Sequence, residues 1–270
     1  MEDMDIFQAV FLGIVQGVTE VLPISSSGHL VLVPWLWGFE DPGLSFDVAL
    51  HMGTLLAIII YFRKDWINIV KGFFSGLKKR QFKTAEERLP LFIVLATIPG
   101  VLAGYFLNNF AEDIFRSPHL IAFMLIFFGY VLILAERLDS QKKKLENLTA
   151  RNSLISGIAQ AVAIIPGVSR SGITISAGMF QGFTREAAAR FSFLISAPII
   201  LGAGTFQMRK MTMGDFQSDI FWAGMISSVI ASFLTVRFLM KFVKNHKLNI
   251  FAYYRFALAG VILLIYILGT

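Results

Sequence analysis

The chain has 270 residues, of which 24 are basic and 18 acidic, and its net charge is +6; 56% of the residues are hydrophobic and only 16% are charged. Soluble domains carry about 25% charged and about 45–50% apolar residues, so these values exclude a disordered chain and a fibrous protein. A nucleic-acid-binding protein is excluded because the basic residues stand in short runs between apolar blocks, as in a polytopic membrane protein. The chain has no cysteine, which excludes disulfides, cysteine-bound zinc and thiol catalysis.

Apolar segments predict six membrane-spanning helices and two interrupted segments, since a spanning helix needs about 20 mostly apolar residues. The first interrupted segment, residues 7–22, stops at Pro23. It is expected to be retained, because the acidic residues before it are unlike the positive start of a cleaved signal peptide. The second interrupted segment, residues 153–165, stops at Pro166. The expected spans are residues 44–62, 89–108, 119–135, 191–207, 220–240 and 250–268.

Each interrupted segment continues through a serine-rich turn, at residues 25–28 or 169–172, into a second short apolar stretch. Proline and the turn residues end one helix there and begin another. Each half has about 12–16 residues, roughly 18–24 Å of helix, which is too short to span comfortably. We therefore predict two re-entrant helical hairpins whose tips lie at membrane depth, buried in protein or facing a polar cavity.

The two interrupted segments are copies of each other. Gly13-Ile14-Val15-Gln16 recurs as Gly157-Ile158-Ala159-Gln160, and the turn at residues 25–28 recurs at the same offset at residues 169–172. Each copy is followed by three expected spans. The second half therefore starts on the side of the membrane opposite to the first.

The predicted fold is an all-α polytopic membrane protein with a single domain, residues 1–270. It contains an inverted-topology repeat, about residues 1–136 and about residues 151–270. Each half is a re-entrant helical hairpin plus three transmembrane helices. In such folds, paired interrupted segments mark a binding site near the membrane midplane.

The basic residues indicate the orientation in the membrane. The loops at residues 63–88 and 137–151 hold eight and five of them, and the predicted topology puts 19 of the 24 on one side. The positive-inside rule makes this side cytoplasmic. Both termini are then predicted outside. The first hairpin opens outward and the second inward, so that their tips meet.

The hairpin tips carry polar residues within apolar segments, and such residues are functional candidates because they are expensive to bury. Gln16 and Glu20 are four positions apart and share one helix face. The other candidates are Ser25, Ser26, Ser27 and His29 in the first hairpin and Ser169, Arg170, Ser171 and Thr174 in the second. Hydroxyls and backbone N–H groups at two helix N-termini favour an anion, and phosphate in particular.

The candidates supply the parts of phosphoryl transfer, which are positioning, charge neutralisation and an activated nucleophile. Arg170 suits bidentate contact with phosphate, and Glu20 suits a hard divalent cation. His29 suits a general acid, a general base or a nucleophile. A hydroxyl such as that of Ser26 attacks phosphorus when a neighbouring base activates it.

Structural interpretations stay open for the same residues. A serine-rich turn also caps a helix, His29 also completes a turn, and Glu20 also forms a static buried pair with Arg170 across the hairpins. Two further pairs stand at helical spacing. A structural pair is favoured for Asp47 with His51, and an extension of the polar cavity is the alternative; Glu186 with Arg190 is interpreted as an interfacial helix pair.

Two signatures make the sequence recognisable. The first is Gln16-Gly17-Val18-Thr19-Glu20 followed by Pro23-Ile24-Ser25-Ser26-Ser27-Gly28-His29, and the second is Pro166-Gly167-Val168-Ser169-Arg170-Ser171-Gly172-Ile173-Thr174. Together they resemble the signatures of bacterial undecaprenyl-diphosphate phosphatases, the bacitracin-resistance family. The resemblance extends over essentially the whole chain, including the segment Tyr254-Arg255-Phe256.

The resemblance implies an enzyme of the bacterial inner membrane that hydrolyses undecaprenyl diphosphate to undecaprenyl phosphate and inorganic phosphate. This reaction recycles the lipid carrier for peptidoglycan and confers bacitracin resistance. The implied cofactor is a divalent cation, Mg²⁺ or Ca²⁺, and the implied active site is reached from the outer face. The implied partners are a polyprenyl diphosphate lipid and membrane lipids, without nucleic acid, and a homo-oligomer stays open.

The family's site residues are carried over position by position. The catalytic residues implied are Glu20, Ser26, His29 and Arg170; the phosphate-binding residues are Gln16, Ser25, Ser27, Ser169, Ser171 and Thr174; and the metal ligands are Glu20 and Gln16. Gln16 is one of the family's two options at its position, and it removes one carboxylate from the metal.

A transporter is the alternative from a different class. Inverted repeats with broken helices are typical of transporters with alternating access. The chain would then flip a lipid phosphate or move a small anion, and the same residues would bind without cleaving. Release of phosphate distinguishes the two functions.

Overall fold

The computed structural model describes residues 4–37, 43–113, 117–138 and 142–267, and each regular element within them is a helix. The helices of the first half are α1 (Ile6–Val21), α2 (Ser26–Trp37), α3 (Leu44–Tyr61), α4 (Arg63–Lys79), α5 (Ala85–Asp113) and α6 (Pro118–Leu138). Those of the second half are α7 (Ala150–Val162), α8 (Arg170–Phe180), α9 (Arg185–Met208), α10 (Met213–Gln217), α11 (Asp219–Asn245) and α12 (Asn249–Ile267), preceded by a 3-10 turn at Leu145–Asn147.

Five of the described helices, α5, α6, α9, α11 and α12, are long and apolar enough to cross a membrane. The bent pair of α3 and α4 makes a sixth span if it is counted as one. The prediction of an all-α, multi-pass membrane protein is therefore confirmed. The last predicted span reaches residue 268, which lies outside the described residues.

The segment at residues 63–88 is not the loop that the charge pattern predicted. Most of it forms α4, which leaves α3 at an angle of 76°. Ile67, Val70 and Phe74 are exposed along one side of this helix, at the spacing of an amphipathic helix. A loop was predicted from the basic residues alone, and the helical spacing of the apolar residues between them was not considered.

Both interrupted segments break where predicted. α1 ends at Val21, two residues before Pro23, and α2 begins at Ser26. Proline has no N–H to continue the helical hydrogen bonds. In the second segment α7 ends at Val162 and α8 begins at Arg170. Re-entry into the membrane and the inverted topology of the repeat stay predictions.

Equivalent helices of the two halves pack in the same way. α1 packs along α11, and α7 packs along α5. In both contacts, a glycine of the repeated motif lies against the backbone of the partner helix. A Cβ on Gly13 would lie 2.5 Å from the carbonyl oxygen of Gly224, and a Cβ on Gly157 would lie 2.6 Å from that of Ala96. Such reciprocal packing is what a twofold repeat produces, and it holds the two hairpins between the long helices.

α9 is the central helix, because it packs against α3, α5, α8 and α11. Ion pairs tie its start to neighbouring helices, and the predicted pair of Glu186 with Arg190 is wrong. Glu186 pairs with Lys244 of α11 at 3.1 Å rather than with Arg190, and Arg190 pairs with Asp65 of α4. Spacing along one helix does not show which neighbouring helix offers a better partner.

Candidate active site

The tips of the two hairpins lie against each other, as predicted. The N–H of Gly167 donates to the hydroxyl of Ser27 at 3.4 Å, and the hydroxyl of Ser171 donates to the carbonyl oxygen of Leu22 at 3.1 Å. Ser27 and Ser171 are equivalent positions of the repeat. Each tip therefore reaches the other through the same residue.

Each tip is held in a strained turn. Ser25 has a φ of 76° and its repeat equivalent Ser169 has a φ of 67°, a left-handed conformation that is uncommon for residues other than glycine. The two hydroxyls accept hydrogen bonds from the N–H of Gly28 at 3.4 Å and of Gly172 at 3.2 Å. Strain of this kind persists only where the surroundings hold it, and it clusters at functional sites.

The carboxylate of Glu20 is the centre of the site. Its Oε1 accepts from Nη2 of Arg170, and its Oε2 accepts from the hydroxyl of Ser26. The side-chain amide of Gln16 also donates to Oε2, at 3.4 Å. The side chains of Glu20 and Arg170 are 8% and 16% exposed. The structure thus brings four predicted residues together, and it places a carboxylate directly on the hydroxyl that was predicted to attack phosphorus.

His29 is turned away from this carboxylate. Its Nδ1 donates to the carbonyl oxygen of Ser25 at 2.7 Å, so in the neutral ring Nε2 accepts from the hydroxyl of Tyr254, also at 2.7 Å. The two rings are stacked with centroids 5.7 Å apart. The described contacts of His29 therefore join α2 to α12 and do not connect it to Ser26.

Thr174 is also turned away from Glu20. Its hydroxyl donates to the carbonyl oxygen of Arg170 at 2.7 Å and lies 2.5 Å from the hydroxyl of Ser192 on α9. Ser169 and Ser171 use their hydroxyls in the turn and in the contact between the tips. Of the predicted phosphate-binding set, Gln16 contacts Glu20. The hydroxyl contacts of the other five hold the tips in place.

His51 lies beside the site, which was the less favoured of the two interpretations of its pair with Asp47. Its Nδ1 donates to the backbone carbonyl of Asp47 at 2.8 Å, and its Nε2 lies 3.9 Å from Oε2 of Glu20. The side chain of His51 is 37% exposed, so it is a more accessible group than the buried carboxylate beside it. The spacing to Asp47 indicated a local pair but not which way the other nitrogen points.

Sequence reasoning missed Arg255, which joins the two tips through its hydrogen bonds to both. This residue of α12 is fully buried. Its Nε donates to the carbonyl oxygen of Pro23 at 2.6 Å, and its Nη2 donates to that of Val168 at 3.1 Å. Gly172 leaves room for the guanidinium, because a Cβ there would clash with Nη2. A lone arginine in an apolar span was the signal that could have identified it.

The oxygen donors of the site fit a hard cation only in part. The described residues contain no cluster of three or more His, Asp or Glu side chains that could hold a metal ion. Beside the Glu20 carboxylate, Oε1 of Gln16 is buried and has no hydrogen-bond partner among the described residues. One carboxylate and one amide oxygen suffice for Mg²⁺ when water and substrate phosphates complete its ligands.

The chain matches a known protein family over nearly its whole length. The family model "Bacitracin resistance protein BacA" matches residues 9–261. The chain belongs to this family. Both hairpin tips and all residues of the Glu20 site lie within the matched range.

Three proteins similar to this chain are each named undecaprenyl-diphosphatase. The protein of Desulforudis audaxviator is 49% identical over 265 residues, which are 98% of this chain and 99% of that protein. The protein of Pelotomaculum thermopropionicum is 48% identical over 252 residues, 93% of each chain. The protein of Caldicellulosiruptor bescii is 46% identical over 267 residues, 98% of this chain and 99% of that protein.

Proposed function

We propose that this protein hydrolyses undecaprenyl diphosphate to undecaprenyl phosphate and inorganic phosphate, and that Glu20, Ser26 and Arg170 carry out the reaction. Such a reaction recycles the lipid carrier for cell-wall synthesis and confers bacitracin resistance. The family and its named relatives support the reaction. The observation that supports the site is the carboxylate of Glu20, which contacts a hydroxyl and a guanidinium from the two hairpin tips.

Arg170 changes partners when the substrate binds. Without substrate its guanidinium neutralises Glu20, which also weakens that carboxylate as a base. The diphosphate offers several oxygens for bidentate contact with an arginine. As Arg170 turns to these oxygens, Glu20 is released to accept a proton. The pair that has a static interpretation in the sequence is thus a resting state of the site.

The nucleophile is the hydroxyl of Ser26, or a water in its place. Its oxygen forms a bond to the terminal phosphorus while the bond from this phosphorus to the bridging oxygen breaks. The bridging oxygen leaves with the electron pair as undecaprenyl phosphate, and the proton of the nucleophile passes to Glu20. If Ser26 attacks, water then forms a bond to the phosphorus of the phosphoserine and the bond from this phosphorus to the Ser26 oxygen breaks. Glu20 returns its proton to that oxygen and accepts one from the water, and inorganic phosphate leaves. In this scheme Glu20 manages the proton, the role predicted for His29, because Glu20 contacts the Ser26 hydroxyl while His29 contacts Tyr254.

A divalent cation, Mg²⁺ or Ca²⁺, is part of the proposal. Oε1 of Glu20 and Oε1 of Gln16 are the groups of this chain that would hold it, while Oε2 of Glu20, which contacts the Ser26 hydroxyl, takes the proton. The cation would neutralise charge on the phosphate oxygens. Arg170 and the protein's backbone N–H groups at the tips bind and orient the same oxygens without it.

The proposed location is the bacterial inner membrane, with the basic end in the cytoplasm and both termini outside. The substrate then reaches the tips from the outer leaflet, and its prenyl chain stays among the apolar helices. Membrane lipids surround the protein, and a homo-oligomer stays a prediction.

Phosphate release from undecaprenyl diphosphate by purified protein in detergent tests the proposal, with and without EDTA. Arg170→Ala should lower the rate by about 10²–10³, and Glu20→Gln by about 10²–10⁴. Arg151→Ala is the matched control, since Arg151 is exposed at the start of α7, and it should keep the rate. EDTA should abolish release.

Two further outcomes separate the alternatives. Trapped phosphoserine at Ser26 supports attack by this hydroxyl, whereas phosphohistidine at His29 would overturn the assignment. Folded protein that binds the diphosphate lipid and releases no phosphate would favour the transporter.

A further inference from the structure

A second polar site lies where the end of α3, the start of α4, the start of α9 and the last turns of α11 meet. It is a cavity of about 540 Å³. Six basic and two acidic residues line it, which are Arg63, Lys64, Arg190, Arg237, Lys241 and Lys244, with Asp65 and Glu186. None of these residues takes part in the Glu20 site.

The cavity carries an excess of positive charge. Arg190 pairs with Asp65, and Lys244 pairs with Glu186. The other four basic side chains, Arg63, Lys64, Arg237 and Lys241, have no carboxylate partner in the part of the chain that the structure describes. Four positive charges around one cavity repel each other unless an anion enters.

The cavity is separate from the site of hydrolysis. Arg170 contacts the carbonyl oxygen of Ser196 on α9 at 3.4 Å, and Arg190 lies six residues earlier on the same helix. Six residues correspond to about 9 Å along a helix. Arg190 is also close to the N-terminal end of α9, whereas Ser196 lies in its interior. The positive charge therefore lies near the surface of the membrane and not at the depth of the tips.

Exposed apolar side chains lie within one helical turn of residues that line the cavity. Ile60 of α3 and Leu234 and Phe238 of α11 are about half exposed. The rings of Tyr61 and Phe233 make an edge contact, with centroids 6.0 Å apart, that joins these two helices. The surface thus combines basic groups at the end of two spans with a strip of exposed apolar side chains along α3 and α11. This combination matches a lipid with an anionic headgroup and acyl chains.

We propose that this cavity binds the phosphodiester headgroup of an anionic glycerophospholipid, with the acyl chains along α3 and α11. Basic pockets between transmembrane helices on the cytoplasmic side bind such headgroups, and the positive-inside rule assigns this end to the cytoplasm. α4 supports the same placement. It turns by 76° at the cavity and exposes the apolar side that an interfacial helix buries in the headgroup region.

The test measures binding of fluorescent phosphatidylglycerol to purified protein in detergent. Arg237→Gln/Lys241→Gln removes two of the four unpartnered charges. Lys83→Gln/Arg151→Gln is the matched control, because it removes two exposed charges outside the cavity. Each basic group near an anionic surface contributes about 1 kcal/mol, so the cavity variant should bind about thirtyfold more weakly. The control should bind like the wild type.

Competition identifies the ligand. Unlabelled phosphatidylglycerol should displace the probe, whereas phosphatidylcholine and inorganic phosphate should not. Equal weakening in both double variants, or equal displacement by phosphatidylcholine, would overturn the proposal. Displacement by inorganic phosphate at similar concentration would show a site for free phosphate instead. Phosphate release from undecaprenyl diphosphate should persist in both double variants, which would show that they are folded. The result for lipid binding is then independent of the catalytic proposal.

Discussion

Arg255 should determine how firmly the two hairpin tips are held together. Replacing it with methionine keeps much of the side-chain volume but leaves the carbonyl oxygens of Pro23 and Val168 without their donor. Each buried carbonyl that loses its hydrogen bond costs about 1–3 kcal/mol. Part of this cost is offset, because Nη1 of Arg255 is itself buried without a partner in the described structure. We expect Arg255→Met to lower the free energy of unfolding by about 3 kcal/mol.

A buried charge replaced by an apolar residue is often neutral when its partner is replaced as well. Here the partners are backbone carbonyls, which no side-chain substitution removes. Arg255→Lys keeps the charge but offers one nitrogen in place of the planar fork, so it should lose about half as much stability.

Denaturant unfolding of the detergent-solubilised protein, followed by tryptophan fluorescence, measures both variants against the wild type. The same samples should release phosphate more slowly, since the turns that precede Ser26 and Arg170 are no longer held. Wild-type stability in Arg255→Met would refute the reasoning, and so would a lysine variant that is less stable than the methionine one.

Three further predictions test the packing and the site. Gly17→Ala should lower the free energy of unfolding by about 1–3 kcal/mol and slow phosphate release, because its Cβ would lie 2.7 Å from the backbone nitrogen of Ser232 on α11. An unchanged melting temperature would contradict this. Tyr254→Phe removes the hydroxyl that donates to His29 and should keep phosphate release within about threefold, whereas a loss of about 10² would restore His29 as the proton carrier. Glu136→Gln should lower the free energy of unfolding by about 3 kcal/mol, measured by thermal unfolding. Its carboxylate is 1% exposed and accepts two hydrogen bonds from the guanidinium of Arg185 on α9. Glu186→Gln is its control, since the Glu186 side chain is 44% exposed, and it should cost less than about 1 kcal/mol.

The hairpins were predictable because their signals are local. Pro23 and the serine turn interrupt an apolar run within a few residues, and the same pattern recurs in the second half. α4 was missed because charge and apolar period overlap in one stretch, and the charge alone suggested a loop. After its 76° bend from α3, α4 packs against α5, a contact that no pattern within residues 63–79 records.

The site was predictable only in part for a similar reason. Repeat symmetry places Glu20 and Arg170 near each other, since each lies beside an interrupted turn. The direction of His29 depends on how α2 is rotated against α12, which comes from the far end of the chain. Arg255 shows the same limit, because its role exists only after three separate segments have come together.

The repeat explains the scaffold, and the departures from the repeat explain the chemistry. Ser26 and Arg170 are equivalent positions, the first residues of α2 and α8. Their backbones follow matching strained turns, yet one offers a hydroxyl and the other a guanidinium. Both contact Glu20, whose own equivalent in the second half is Ile164. Two identical tips would present two nucleophiles or two cations to one substrate. In the proposed mechanism, a duplicated turn with different side chains presents one nucleophile, one base and one cation, which is the set that phosphoryl transfer needs.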